Sequence, residues 1–143
     1  MKILLLEDRS LCFEPIIEIA KHCNHVVVHC CDTCEADKAI KKHKKFDLYI
    51  IDLKIDENGL SPSQKKRTAV GYYSGWIWLY DEVLKKKPEN APVCILLTGI
   101  MDSFINNYLE TAESDEKSMA LGVKMIDKSS KWKDEIEVIL KNL

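Results

Sequence analysis

The sequence predicts an α/β protein: a doubly wound, all-parallel sheet of five strands with helices on both faces. Three observations predict it. Short apolar runs rich in β-branched and aromatic residues, such as Phe46-Asp47-Leu48-Tyr49-Ile50-Ile51-Asp52, read as buried strands. Helical periodicity fills the intervals between them, and such alternation builds a parallel sheet through right-handed crossovers. Carboxylates end two of the runs, because Lys2-Ile3-Leu4-Leu5-Leu6 leads into Glu7-Asp8 just as the other run leads into Asp52. Open α/β sheets bind ligands outside the C-terminal ends of their strands. Three carboxylates brought to one edge repel each other and call for a cation, and clustered hard oxygens favour Mg²⁺.

The elements follow in order. The first strand covers 2–6. A helix over 11–22 has Leu11, Ile16, Ile19 and Ala20 on one face; Pro15 fits its first turn best, so a late start or a kink is expected. Val26-Val27-Val28-His29-Cys30 is the second strand. Asp32 or Thr33 then caps a helix to about Lys45, with Glu35 in its first turn. The third strand covers 46–51. A polar stretch, 54–74, holds Asn58-Gly59, Ser61-Pro62 and Lys65-Lys66-Arg67, and is longer than most connections in a compact domain. Ser74-Gly75 opens a helix to Lys87 that buries Trp76, Ile77, Leu79, Tyr80, Val83 and Leu84. Lys85-Lys86-Lys87 suits the negative end of its dipole, and Pro88 stops it. The fourth strand, 92–97, ends in Thr98-Gly99. Asp102 or Ser103 caps a helix through about Leu109, and the polar segment 110–117 leads to a last helical turn at 118–121. The fifth strand, 123–126, runs into Asp127-Lys128, and a helix over 131–143 follows.

Composition sets outer limits. The 143 residues suffice for one domain with a real core, expected to occupy 1–143 with an expanded loop at 54–74. At 46% hydrophobic and 31% charged residues the chain reads as globular. A net charge of −2 gives no general pull toward nucleic acid or anionic membrane. The run 3–6 is too short for a signal peptide and meets Glu7-Asp8-Arg9 at once, and no stretch is long enough to span a bilayer. A cytoplasmic location with the six cysteines reduced is the expectation.

Polar groups thus end four strands: Glu7 and Asp8, Asp52, Thr98, and Lys128. The segments Ile3-Leu4-Leu5-Leu6-Glu7-Asp8, Asp47-Leu48-Tyr49-Ile50-Ile51-Asp52-Leu53, Ile95-Leu96-Leu97-Thr98-Gly99 and Ile126-Asp127-Lys128, in that order, make the chain resemble the receiver domain of two-component response regulators over essentially its whole length. The resemblance implies the flavodoxin-like strand order 2-1-3-4-5. It implies that Asp52 is a phosphoacceptor, attacking a phosphohistidine or a small acyl phosphate to become an aspartyl phosphate. It implies Mg²⁺ held by Glu7, Asp8, Asp52 and the backbone carbonyl of Lys54, charge pairing of Lys128 with the phosphoryl group, and a hydrogen bond from Thr98 to a phosphoryl oxygen. Gly99 leaves the phosphoryl group room to enter. The implied partners are a histidine kinase or phosphotransfer protein as donor and a downstream effector protein, reached through movement of the Thr98 loop and the helix beside it. The chain then acts as a stand-alone phosphoacceptor rather than an enzyme. The alternative is a receiver-fold binding module that docks a partner through 54–74 while phosphorylation is vestigial.

This sequence departs from the family pattern in several places. Ser129 stands where a proline commonly follows the lysine, and Met125 where an aromatic switch residue usually sits. The connections after Asp52 and from Thr98 to Lys128 are both expanded. Lys54 and Ile100 stand two residues beyond the aspartate and the threonine, where side chains can control water access to the acyl phosphate.

Other candidate features read more simply. Cys31-x-x-Cys34 has a zinc-ligand spacing near His22, Cys23, His25, His29 and Cys30, but no second such pair accompanies it, and the cluster reads as strand and helix termini. Cys12 and Cys94 read as small core residues. Lys41-Lys42-His43-Lys44-Lys45 is the solvated end of a helix. Lys65-Lys66-Arg67 could meet an acidic partner. Trp78 falls off the apolar stripe of its helix and is expected to be partly exposed. No glycine-rich loop follows the first strand, which argues against a dinucleotide site, and no helix-turn-helix follows to read DNA.

Overall fold

In the computed structural model, which describes residues 1–86, 92–129 and 131–143, β1 (Lys2–Leu6), β2 (Val26–Cys30), β3 (Leu48–Asp52), β4 (Val93–Thr98) and β5 (Lys124–Asp127) form one sheet. All pairings are parallel and the order is β2-β1-β3-β4-β5, as expected from the sequence. Successive side chains of a strand point to opposite faces, so each strand feeds two cores. On one face Ile3, Leu5, Leu48, Ile50, Ile95, Leu97 and Ile126 pack against Ile16 and Ala20 of α1 (Ser10–His22) and Ile136 and Leu140 of α7 (Trp132–Asn142). On the other, Leu4, Leu6, Tyr49, Ile51, Cys94 and Leu96 meet the remaining helices.

Those helices are α2 (Thr33–His43), α4 (Ser74–Trp78) and α6 (Ser114–Leu121), whereas α3 (Pro62–Arg67) and α5 (Met101–Ser103) bury no residue of their own there. Asp32 caps α2 by accepting from Glu35 N at 2.7 Å. Within the stretch expected to be loop, α3 forms because Ser61 and Gln64 make a capping box and Pro62 presets the first turn. The helices α4 and α5 each continue as a π-helix, over Leu79–Leu84 and Phe104–Leu109. Tyr73, Trp76, Tyr80, Phe104 and Tyr108 stack between them, with ring centroids 4.9 to 5.9 Å apart.

Several expectations are corrected. Pro15 lies inside α1 rather than in its first turn, and the helix starts no later for it. The carbonyl that thereby lacks an amide donor is that of Leu11, whose side chain stands in solvent, so water can satisfy it. Neither Asp102 nor Ser103 caps α5; the capping position is Ile100, with no side-chain bond. The helix α6 starts at Ser114, ahead of the expected turn. Trp78 is fully buried, because its indole N–H donates to Asp37 Oδ1 at 2.9 Å and so tolerates a polar flank. Cys94 is buried as expected, whereas Cys12 is only half-buried. The expected end of the fourth helix at Lys87 and Pro88 lies outside the described residues. No helix among the described residues is long and apolar enough to cross a membrane.

Candidate functional site

The sheet continues for a residue beyond its strands, and this aligns the polar groups. Glu7 N donates to Cys30 O at 3.2 Å, Leu53 N to Leu97 O at 2.8 Å, and Lys128 N to Thr98 O at 2.8 Å. Parallel register therefore brings the ends of β1, β3, β4 and β5 to one edge. Asp52 is 2% exposed and Glu7 is fully buried, while Asp8 points to solvent. One oxygen from each of these three carboxylates lies within 4.8 Å of the others.

Lys128 bridges the two buried acids. Its Nζ lies 2.8 Å from Asp52 Oδ1 and 2.9 Å from Glu7 Oε2. Arg9 adds a second cation that sequence reasoning passed over. Its backbone N donates to Glu7 Oε1 at 3.1 Å, and its Nη2 stands 3.6 Å from Asp52 Oδ2, outside hydrogen-bond range. The signal was available, since Arg9 directly follows the acidic pair at the end of β1. His29 was also missed: its Nε2 donates to Glu7 O at 2.8 Å and pins the backbone that carries the acids.

Burial pushes the Asp52 carboxyl up to about 6, with the Glu7 charge adding to the rise and Lys128 and Arg9 opposing it. Partial burial and the neighbouring Glu7 also raise the Asp8 carboxyl. Asp52 Oδ2 is buried without a hydrogen-bond partner. An orphaned carboxylate oxygen beside two further acids is a donor set for a hard divalent cation, so the residues present fit Mg²⁺.

Thr98 closes β4 with its hydroxyl accepting from Ile100 N at 2.9 Å, and Gly99 follows in the turn. A cleft of about 770 Å³ joins these groups, lined by Asp8, Asp52, Lys54, Thr98, Gly99 and Lys128 among others. The structure thus brings Asp8, Asp52, Lys54, Thr98 and Lys128 to one opening, while Glu7 stays fully buried and is tied to them through Lys128. Gly75 fixes its floor: α4 begins so close to β3 that a Cβ there would lie 1.8 Å from Asp52 O. Met125 is half-buried against the core, with no aromatic ring in its place. His22, Cys23, His25, Cys31 and Cys34 form no metal-sized cluster among the described residues; the three carboxylates are the grouping found there.

No protein-family model and no curated protein matches the sequence. Solved structures do match. A response regulator receiver domain protein of Clostridium thermocellum superposes with a TM-score of 0.65 at 20% identity, covering 99% of this chain and 91% of that one. The phosphorylated cyanobacterial phytochrome response regulator RcpA gives 0.63 at 19% identity, covering 99% and 89%. The receiver domain of the sensor histidine kinase PA1611 of Pseudomonas aeruginosa, solved with magnesium coordinated in its active-site cleft, gives 0.58 at 16% identity, covering 99% and 94%. The chain therefore has the receiver-domain fold.

Proposed function

We propose that this chain is a response regulator receiver module that accepts a phosphoryl group on Asp52 in a Mg²⁺-dependent step and signals through a partner protein. The observation that carries the reading is the buried arrangement at the ends of β1, β3 and β5, where Lys128 Nζ holds both Asp52 and Glu7 beside an unpartnered Asp52 oxygen. A purely structural ion pair has no need of the second acid, the orphaned oxygen or the open cleft.

The roles follow from the chemistry. The Asp52 carboxylate forms a bond to phosphorus as the donor's P–N or P–O bond breaks and its leaving group departs. Lys128, 8% exposed in its side chain, is held at the nucleophile and would follow the charge onto the phosphoryl oxygens. Thr98 would exchange its hydrogen bond with Ile100 for one donated to a phosphoryl oxygen, which links transfer to the conformation of the β4–α5 turn. Glu7, Asp8, Asp52 and the Lys54 carbonyl would hold Mg²⁺. Bound there, the ion supplies charge neutralisation at the phosphoryl oxygens. The donor is a histidine kinase or phosphotransfer protein, the reader is an effector protein, and the setting is the cytoplasm. The chain itself is a phosphoacceptor and not an enzyme acting on a separate substrate.

The test is intact mass after incubation with acetyl phosphate and Mg²⁺. The reading expects a gain of one phosphoryl group that requires the metal and is absent in Asp52→Asn. A wild-type chain that binds Mg²⁺ yet gains nothing from acetyl phosphate or from any phosphohistidine donor overturns it.

A further inference from the structure

The segment between α3 and α4 reaches back over the site. Ala69, Val70 and Gly71 all have positive φ, at 50°, 60° and 87°. A β-branched residue rarely adopts that region, and strain of this kind persists only where the surroundings over-determine it. Here they do. Thr68, fully buried, accepts from Gly71 N at 3.0 Å and donates toward Glu57 Oε2 at 2.9 Å. Ser74, equally buried, accepts from Ile55 N at 3.0 Å and bonds Gly71 O at 3.0 Å. The turn is clamped at both ends, and the clamp presents Tyr72 to the phosphoacceptor cleft.

Tyr72 does not simply hang there. Lys54, two residues beyond Asp52, places its Nζ 4.8 Å from the centre of the Tyr72 ring. An ammonium over a tyrosine face at that distance is a cation–π pair. Both residues line the cleft that contains Asp52, Thr98 and Lys128, and Val70, Gly71 and Ile100 continue the same wall. Lys54 is exposed, and among the described residues the Tyr72 ring, rather than a carboxylate, is what holds it.

From this geometry we infer that Tyr72 is a positioning residue, fixing Lys54 across the cleft mouth so that the pair slows hydrolysis of the aspartyl phosphate. The inference rests on the phosphoacceptor reading above. In the hydrolysis it opposes, a water oxygen forms a bond to phosphorus and the bond from Asp52 to phosphorus breaks. The electron pair of that bond returns to the carboxylate, and inorganic phosphate leaves with the water's proton released to solvent. Water must reach phosphorus from the side away from Asp52, through the cleft that Lys54 and Tyr72 help to line.

The experiment is a decay measurement. Wild type, Tyr72→Phe, Tyr72→Leu and Lys54→Met are loaded with acetyl phosphate and Mg²⁺. The donor is then removed and the phosphorylated fraction followed by intact mass. Tyr72→Leu and Lys54→Met should each shorten the half-life several-fold. Tyr72→Phe, which keeps the ring face, should match wild type. The Tyr72→Leu/Lys54→Met double variant should decay no faster than either single one. Tyr72→Phe and Tyr72→Leu must still take up one phosphoryl group, which reports an intact site. Equal half-lives throughout, or a Tyr72→Phe that decays like Tyr72→Leu, overturn the inference alone. A wild type that takes no phosphoryl group from any donor overturns the phosphoacceptor reading and this inference with it.

Discussion

Asp52 is held in the fold at a cost. Its carboxyl is raised from an ordinary value of 3.8 to about 6, first by burial and then by Glu7. Between those two values the native chain binds more protons than the unfolded one, so the group's contribution to stability falls as pH rises through that window. In metal-free protein, Asp52→Asn should therefore raise Tm at neutral pH. The difference from wild type should shrink as pH drops toward 4 and vanish below it. Thermal melts of both proteins across pH 3.5 to 8 would check this; a constant offset would contradict it. At the same scale, Glu116 accepts from the Trp76 indole at 2.7 Å and the Tyr108 hydroxyl at 2.7 Å, with Arg67 at 3.8 Å. The phenol of Tyr108 is pushed up, mainly by burial. Glu116→Ala leaves the buried Trp76 N–H and the half-buried Tyr108 hydroxyl without their acceptor and should cost on the order of 3 kcal/mol in urea unfolding.

Among the elements, α4 depends on its glycine. Gly75→Ala sets a methyl group against the Asp52 carbonyl, which is backbone and yields only if the strand end shifts. Overpacking of this kind should cost at least about 3 kcal/mol in chemical denaturation, and it should displace the end of β3 as well. The strands were legible in the sequence because buried parallel strands are continuous apolar runs, and the polar residues ending them marked the site. The helix α3 was legible only in part: Ser61, Pro62 and Gln64 carry a capping signature that the surrounding polar residues obscured. The π-helical stretches had no signal. A shift of the hydrogen bond by one residue, as in Lys85 N to Tyr80 O at 2.9 Å, changes no side-chain composition. Trp78 was misplaced for a related reason, since a helical period of 3.6 does not describe a helix that widens immediately after it. Arg9 was legible from its place directly after the acidic pair, whereas Tyr72 could not be assigned to the site from spacing, because it arrives through a clamped turn.

For the whole molecule, a site of three carboxylates and two cations makes stability depend on what binds it. Mg²⁺ that binds only the folded chain should raise Tm in a saturable way, by about 2.7 kcal/mol of added stability at roughly a hundred times its Kd. Asp52→Asn should weaken that response, since it removes the orphaned oxygen. Calorimetric melts with and without the ion, for both proteins, measure the effect; identical responses would mean that Asp52 is no ligand.

The bond between Lys128 and Glu7 joins residues 121 positions apart. During synthesis, then, β1 and β3 emerge with their acids long before the buried cation that bridges them. A nascent chain ending anywhere ahead of β5 would have only the half-exposed Arg9 to set against the two buried acids, and would lack the buried ammonium that bridges them. Completion of the site is in this sense a report that translation has passed residue 128.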